Sequence, residues 1–180
     1  MQVDLSTYKN SWYKPGNHFK RILWYYCNMI FFKSGWFPFY RFKVFILRLF
    51  GASIGKAVLI KPNVNIKYPW LLTIRNDVWI GEEVWIDNYA LVTIGNNVCI
   101  SQGALLQTGS HNYNIPSFDL IIKSIKLEDG VWICAKAIIC SGVICNSNSI
   151  VTAGSVITSN CEANGIYRGN PAVKIRMRAC

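Results

Sequence analysis

The chain has 180 residues, of which 52% are hydrophobic, and a formal net charge of +10 at pH 7. Its length fits one domain. The densest apolar run, residues 22–32, is too short to cross a bilayer as a helix, and the first ten residues lack the basic-then-apolar layout of a secretory signal. Seven scattered cysteines without Cys-x-x-Cys spacing predict a reduced, cytoplasmic protein.

Residues 1–50 form an aromatic and basic N-terminal segment, with eight Lys and Arg residues against one acid, Asp4. The region that follows is built from regular repeats, and the open end of a repeat array needs a cover. We therefore expect residues 1–50 to form a helical cap.

A second interpretation concerns the stretch FYRFKVFILRLF, residues 39–50, in which cations alternate with large apolar side chains. Such a helix can lie in a membrane interface, with Arg41, Lys43 and Arg48 on anionic lipid. The two roles are compatible. Peripheral contact of residues 20–50 with the inner face of a membrane is accordingly a second expectation.

Residues 51–160 repeat every six residues. An apolar residue opens each unit, a small or compact residue follows four positions later, and Gly, Asn and acidic residues fill the turns. Such a unit cannot bury its apolar residue alone, so the units must stack into a continuous core. The pairs are Ile54 with Val58, Ile60 with Val64, Ile74 with Val78, Ile80 with Val84, Ile86 with Ala90, Ile94 with Val98, Ile100 with Ala104, Leu127 with Val131, Ile133 with Ala137, Ile139 with Val143, Cys145 with Ser149, and Val151 with Ser155.

This period predicts stacked parallel coils with three short faces per turn. An α-helix needs apolar residues at three- and four-residue spacing, and a flat sheet alternates every two residues without a corner in each unit. Gly and Asn suit the corners because they adopt positive φ at little cost. The fold class is therefore an all-β solenoid, and its handedness does not follow from the pattern.

The repeat stops at Leu106 and resumes at Leu127, which predicts an inserted loop at 107–124. A polar loop of this length in a compact solenoid is usually functional, since ordering it costs entropy that packing alone seldom offsets. Near its start, in QTGSHNYN (107–114), stands His111, one of only two histidines. Histidine exchanges protons near neutral pH, so His111 is the candidate catalytic base; the alternative is a surface histidine that happens to lie in the loop.

Residues 161–180 form a basic C-terminal tail with no acid after Glu162. The positive charge is thus concentrated at the two ends of the chain, without an aromatic and basic stripe along the coil, and this argues against a nucleic-acid partner. The cations of the tail are Arg168, Lys174, Arg176 and Arg178.

Several stretches resemble the hexapeptide-repeat acyltransferases, and above all the colanic acid O-acetyltransferase group, whose relatives act on galactosides, maltose and xenobiotics. The most specific signal is TGSHNY followed by DGVWI and a terminal GNPA. The resemblance implies a left-handed parallel β-helix and a homotrimer with CoA sites between subunits. The matching stretches are YPWLLTI (68–74), TIGNNVCISQGALLQTGSHNY (93–113), EDGVWI (128–133), SGV (141–143), VTAGSVIT (151–158) and GIYRGNPAVKIR (165–176).

The resemblance also implies a reaction, the transfer of acetyl from acetyl-CoA to a sugar hydroxyl of a cell-surface polysaccharide or its lipid-linked precursor. His111 would take the hydroxyl proton as the oxygen attacks the acetyl carbonyl, and such a base is typically worth ~10²–10⁴-fold in rate. The backbone N–H of Ala135 would stabilise the charge on the thioester oxygen. Trp132 would flank the pantetheine, and Asn88 would hold the acceptor sugar.

Coenzyme A carries phosphates, for which arginine offers two parallel hydrogen bonds. This chain has Ser159 where relatives often have Lys, so one lysine–phosphate contact of the family is missing here. Besides Trp132 and Ala135, the positions implied to bind the cofactor are Ala153, Gly154, Thr158, Arg168, Lys174 and Arg176.

Other functions compete with this one. A xenobiotic acetyltransferase or an amino-sugar N-acetyltransferase would share the fold, and a non-enzymatic basic protein would share the charge. Zinc chemistry with three histidine ligands cannot be assembled from His18 and His111, so no metal is expected.

Overall fold

The computed structural model describes residues 2–179. A 3-10 turn at Leu5–Thr7 precedes helix α1, which spans His18–Cys27 and continues into a π-helical turn at Asn28–Phe32. Helix α2 spans Tyr40–Leu49. In the part of the chain that the structure describes, no helix combines the length and the apolar character needed to traverse a membrane.

The strands that follow are mostly two or three residues long, with a 3-10 turn at Pro69–Leu71 before the fourth. The strands are β1 Ser53–Ile54, β2 Leu59–Ile60, β3 Asn65–Ile66, β4 Leu72–Ile74, β5 Trp79–Ile80, β6 Trp85–Asp87, β7 Val92–Ile94, β8 Cys99–Ile100, β9 Leu105–Gln107, β10 Gly109–His111, β11 Leu120–Ile122, β12 Ile125–Leu127, β13 Trp132–Ile133, β14 Ile138–Ile139, β15 Ile144–Cys145, β16 Ile150–Val151, β17 Val156–Ile157, β18 Gly165–Gly169 and β19 Ala172–Met177. Each strand of the coil ends at a corner, where the chain turns onto the next face, whereas β10, β11 and β19 belong to hairpins.

Three parallel sheets form the faces of the coil. Sheet A has the order β1-β4-β7-β12-β15, sheet B begins at β2 and runs through β5, β8, β13 and β16 to β18, and sheet C has the order β3-β6-β9-β14-β17. The chain visits the sheets in rotation and makes about 6 turns. This confirms the predicted parallel β-solenoid with a helical N-terminal segment, and it is consistent with the left-handed β-helix that the resemblance implies.

The core is the inner column of repeat residues. Ile60, Ile80, Val64 and Val84 are all 0% exposed, as the six-residue period predicts. The corners need left-handed backbone, and several are occupied by residues other than glycine, such as Asn97 at φ 55°. The stacking of identical corners therefore fixes the backbone even where the sequence does not use glycine.

The N-terminal segment closes the first turn of the coil. The first coil would otherwise leave backbone groups of all three sheets unpaired, which is costly for buried groups. Val44, Leu47 and Phe50 pack into the same core as the coil. Cap side chains bond to each face in turn: Arg48 Nη2 to the Ile54 carbonyl at 2.8 Å, Lys43 Nζ to the Lys61 carbonyl at 2.9 Å, and Trp24 Nε1 to the Ile66 carbonyl at 2.8 Å.

One part of the interfacial-helix interpretation is wrong. Lys43 is 0% exposed, so it lies between cap and coil and not on lipid. Burial lowers the pKa of Lys43 to about 8. Arg41 remains exposed on the outer side of α2.

The C-terminal residues also differ in form from the predicted tail. Strand β18 adds to sheet B parallel to β16, and β19 folds back antiparallel on β18. Regular structure therefore continues well past residue 160. The basic side chains of this hairpin are held on a strand pair and not on a free tail.

Candidate active site

The inserted segment lies between β9 and β12 and folds as the antiparallel hairpin β10–β11, with His111 opposite Leu120. Its root packs closely on the coil. A Cβ on Gly109 would lie 3.0 Å from a ring atom of Tyr89, so any larger residue here would push the Tyr89 ring aside. The hairpin is thus anchored where sheets C and A meet, which we call the C–A corner.

His111 is oriented by the return strand of its own loop. Its Nδ1 lies 2.8 Å from the carbonyl oxygen of Phe118, and the two rings stack with centroids 4.4 Å apart and planes 6° from parallel. A carbonyl oxygen only accepts, so Nδ1 carries the hydrogen of the neutral ring and Nε2 keeps its lone pair. A half-buried imidazole in this state is suited to act as a general base.

The N-terminal residues lie against the same loop. Asp4 N–H donates to the carbonyl of Pro116 at 2.8 Å, and the Tyr8 ring lies 5.9 Å from that of His111. Farther along, the Tyr13 hydroxyl donates to the Tyr89 carbonyl at 2.8 Å. These contacts join residues at least 76 positions apart, and no local sequence pattern indicates them.

A cavity of about 590 Å³ opens between α1 and the outer side of sheet C. Its walls combine an indole, Trp85, with cationic Arg21 and Lys67 and one carboxylate, Asp87. Aromatic faces with a few polar groups are typical of small-molecule sites. Such a lining can stack on a sugar ring and hydrogen-bond to its hydroxyls.

Strand alternation decides whether Asp87 or Asn88 faces this cavity. Because successive side chains point to opposite sides of a strand, Asp87 points outward while Asn88 points inward. Asn88 is 0% exposed, and its amide donates to the carbonyls of Tyr68 and Leu71 at 2.7 and 3.0 Å and accepts from Tyr68 N–H at 3.0 Å. The geometry therefore does not favour the predicted sugar contact of Asn88, and it presents Asp87 in its place.

The cavity is connected to the root of the inserted loop. Asp87 Oδ1 accepts from Lys67 Nζ at 2.9 Å, and Lys67 lies over the Tyr89 ring at 3.8 Å. Burial lowers the pKa of Lys67, but its hydrogen bonds with Tyr89 and Asp87 outweigh that effect and leave the pKa raised. The Thr108 hydroxyl donates to the Asp87 carbonyl at 3.0 Å. Because Thr108 lies three residues before His111 in the chain, this bond links the Asp87 wall of the cavity to the inserted loop.

The predicted oxyanion donor lies at another corner, where sheet B turns into sheet C. Here Ala137 N–H donates to the Cys134 carbonyl at 3.3 Å and Lys136 has φ 57°, which describes a tight turn with Ala135 at its second position. Within residues 2–179 no acceptor faces the Ala135 N–H. This amide is therefore free to donate to a ligand.

Two further positions assigned to the cofactor lie beside this turn. Trp132 is 44% exposed on the outer face of sheet B, and its Nε1 donates to Ser101 Oγ at 3.0 Å, which holds the indole in place. Gly154 N–H donates to the Ala135 carbonyl at 3.0 Å, so Ala153 and Gly154 stack directly on Ala135 in the next turn of the coil. The structure thus brings these four residues together at the B–C corner.

The remaining predicted positions are spread out. Thr158 follows β17 and lies exposed at the C–A corner, while Arg168 and Arg176 are exposed on the C-terminal hairpin beyond sheet B. Lys174 Nζ pairs with Glu162 Oε2 at 2.5 Å, and this hydrogen bond raises the pKa of Lys174. Lys174 would have to exchange this partner before it could bind a phosphate.

One chain therefore carries two half-sites. His111 and Asp87 are at the C–A corner and Ala135 is at the B–C corner, at opposite edges of sheet C. At about 3.3 Å per residue, a face of this coil separates its corners by on the order of 15 Å. That is too far for a hydroxyl at His111 to meet a carbonyl at Ala135 of the same chain.

Known proteins with similar sequences point to one family. The chain is 38% identical over 168 residues to the "Putative colanic acid biosynthesis acetyltransferase WcaF" of Escherichia coli strain K12, covering 92% of this chain and 91% of that protein. It is 28% identical over 133 residues to the galactoside O-acetyltransferase of the same strain, covering 69% and 63%. The chain belongs to the hexapeptide-repeat acetyltransferases. This confirms the family and the enzyme class that the sequence motifs indicate.

Solved structures agree with this assignment. A hexapeptide-repeat acetyltransferase of Vibrio cholerae O1 biovar eltor, solved with acetyl coenzyme A, superposes with a TM-score of 0.73 at 25% identity, covering 78% of each chain. A galactoside acetyltransferase in complex with coenzyme A gives a TM-score of 0.78 at 22% identity, covering 89% of this chain and 81% of that chain. No protein-family model matches the sequence.

In this acetyltransferase the sequence motifs single out His111 as a candidate base but miss the residues around it. Phe118, Tyr8 and Asp87 were not among the predicted site residues, although the structure places them around His111 and the cavity. Of these three residues, only Asp87 could be predicted from the sequence, because the strand alternation that buries Ile86 also turns the Asp87 side chain outward.

Proposed function

We propose that this chain is an acetyl-CoA-dependent O-acetyltransferase that modifies a saccharide hydroxyl of a cell-surface polysaccharide or its lipid-linked precursor. The observation that carries the proposal is the His111 imidazole, which the Phe118 carbonyl holds through Nδ1, while no hydrogen bond joins Nε2 to the described residues 2–179. The names of its relatives, which include a colanic acid and a galactoside acetyltransferase, support the same reaction and substrate class. The free thiols of the described cysteines favour action in the cytoplasm.

In this proposal the acceptor sugar occupies the cavity between α1 and sheet C. Trp85 would cover one face of the sugar ring, and Asp87 would accept hydrogen bonds from hydroxyls. The link from Asp87 through Thr108 to the catalytic loop supports delivery of one hydroxyl to His111.

Each proton and bond of the transfer then has a named residue. Nε2 of His111 accepts the hydroxyl proton as the oxygen attacks the acetyl carbonyl. The Ala135 N–H stabilises the negative charge that develops on the carbonyl oxygen. When the carbon–sulfur bond breaks, the imidazolium returns the proton to the departing thiolate, which leaves the acetyl ester and free CoA.

The two half-sites support a homotrimer with each CoA site between neighbouring subunits. The C–A corner of one subunit, with His111, would face the B–C corner of the next, with Trp132 and Ala135. Ala153, Gly154 and Thr158 would contact the pantetheine arm, and Arg168, Arg176 and a released Lys174 would contact phosphates. The free Ala135 N–H and the exposed indole of Trp132 support this arrangement.

The reaction is tested by measuring thiol release from acetyl-CoA with mixed hydroxyl and amino-sugar acceptors. Wild-type protein should release thiol with hydroxyl acceptors, and His111→Ala should lower kcat by ~10²–10⁴-fold while CoA still stabilises the fold against heat. Tyr113→Ala, an exposed change in the same loop, is the matched control. Full activity in His111→Ala, or turnover with amines alone, would contradict the proposal.

Subunit mixing tests the shared site. A 1:1 mixture of His111→Ala and Trp132→Ala chains, unfolded and refolded together, should regain about a quarter of the wild-type sites, because a site is intact only when neither of its two contributing subunits carries the relevant change. A site within one subunit would regain nothing.

A further inference from the structure

We infer that the outer face of the N-terminal cap is a docking surface for an anionic phospholipid bilayer. We call this surface the docking face; it consists of the outward side chains of α1, the segment 33–39 and the outward side chains of α2. Three independent features carry the inference: the inverted polarity of α1, a continuous aromatic surface across α2, and the sign of the surrounding charge.

The outward side of α1 is apolar, which is the reverse of an ordinary surface helix. The buried residue Trp24 fixes the inner side, and the residues on the opposite side at helical spacing are Phe19, Ile22, Leu23 and Tyr26. Phe19 is 75% exposed, and the other three are each about half exposed. A solvated helix should be polar here, so this side is built to be covered.

Helix α2 extends the same surface. Its inner side, which includes Val44 and Leu47, is buried in the cap, while Phe45 and Leu49 point outward with Leu49 71% exposed. Ring contacts run without a break through the connecting segment: Trp36 to Phe37 at 5.3 Å, Phe37 to Phe39 at 5.3 Å, Phe37 to Phe42 at 5.4 Å and Phe42 to Phe45 at 6.3 Å.

The positive charge around the docking face favours an anionic lipid bilayer over an uncharged apolar partner. The first fifty residues carry eight cations and one acid, although Lys43 is buried and Arg48 bonds to the coil. Lys33 and Arg41 are exposed beside the aromatic surface. Aromatic and aliphatic groups flanked by cations, with no acid among them, match an interface with negatively charged headgroups.

The proposed acceptor cavity opens onto the docking face. Ile22, Tyr25 and Tyr26 of α1 and Met29 of the π-helical turn that follows it line the cavity, and all four are also exposed. A saccharide carried by a lipid anchor could therefore enter the cavity while its anchor stays in the bilayer. This part rests on the proposed function, whereas binding to the bilayer does not.

Flotation with lipid vesicles tests the docking face directly. We expect wild-type protein to float with vesicles of phosphatidylcholine and phosphatidylglycerol, and much less with phosphatidylcholine alone. Phe45→Glu combined with Leu49→Glu should reduce the bound fraction by about tenfold or more. Val173→Glu, an equally exposed apolar position on the C-terminal hairpin, is the matched control and should bind as wild type does.

A second pair of variants guards against misfolding. Lys33→Glu with Arg41→Glu reverses two exposed charges and leaves the apolar surface intact, so it should weaken binding to anionic vesicles, while Arg75→Glu on the coil should not. His111→Ala should float like wild type, so failure of catalysis and failure of docking are distinguishable. Absence of wild-type binding, or equal loss in the controls, would overturn the inference. So would a docking-face variant that changes the oligomeric mass, because the surface would then be a contact between copies.

Discussion

His111 and Phe118 are joined twice, by a 2.8 Å hydrogen bond from Nδ1 to the main-chain carbonyl and by stacking of their rings at 4.4 Å. The hydrogen bond sets the tautomer and the stacking sets the plane. Because the first uses backbone and the second uses the side chain, substitution can remove one and leave the other.

Phe118→Ala should therefore lower kcat by about threefold to tenfold without abolishing it, since stacked aromatic pairs are worth ~0.5–1.5 kcal/mol. The KM for acetyl-CoA should stay nearly constant, because Phe118 positions the base and does not touch the cofactor. Steady-state kinetics of Phe118→Ala beside Tyr113→Ala measures this. A loss as large as that of His111→Ala would show that the ring does more than orient the imidazole.

The Ala135 amide can be removed without disturbing the turn. Proline suits the second position of a tight turn, so Ala135→Pro should fold and lose only the N–H. We expect kcat to fall by ~10²–10³-fold, the usual effect of deleting one oxyanion donor. Gln102→Pro is the control, because its turn one coil earlier has the same hydrogen bond, from Ala104 N–H to the Ser101 carbonyl at 3.3 Å. Equal losses in the two variants would remove Ala135 from the mechanism.

Substitutions at Asn88 and at Asp87 should have different effects, the first on the stability of the fold and the second on acceptor binding. Asn88→Ala removes the partner of the Tyr68 N–H and of the Leu71 carbonyl, while the Tyr68 carbonyl keeps its bond from Leu71 N–H. The loss costs roughly 2–4 kcal/mol and should lower the melting temperature by several degrees. Asp87→Asn should leave the melting temperature nearly unchanged and raise the acceptor KM. If Asn88→Ala is thermally normal but raises that KM, the original assignment of Asn88 to the sugar is correct.

Lys43 should leave a signature in the pH dependence of stability. Its folded pKa of about 8 lies below the ordinary 10.5, so between these pH values the unfolded chain binds more protons and the free energy of unfolding rises with pH. The charged form penalises the fold fully below pH 8. Relative to Lys43→Met, wild-type protein should therefore gain up to about 1.4 kcal/mol per pH unit from pH 8 to 10.5. Denaturant titrations of both proteins at several pH values measure this, and a constant difference would mean that Lys43 is not desolvated.

The coil can be predicted from the sequence because the pattern within each six-residue unit indicates which residue is buried and where the chain turns. Ile60, Ile80 and Ile100 needed no information from elsewhere in the chain. The candidate active site differs in this respect. Tyr8 reaches His111 across about a hundred residues, and the cavity proposed for the acceptor exists only because α1 packs over sheet C. The pairing of the two half-sites is still harder to predict from one sequence, because in the proposed trimer it needs a second copy of the chain.

Trp24, Lys43 and Arg48 each bond to one face of the first coil, and this has a consequence for assembly. Without the cap, the unpaired edges of the three sheets would be free to pair with the last turn of another molecule. Such contacts repeat without forming a closed assembly. By occupying one carbonyl on every face, the cap makes end-to-end growth into fibres unfavourable. A truncated chain that begins at the coil would be expected to polymerise along its long axis.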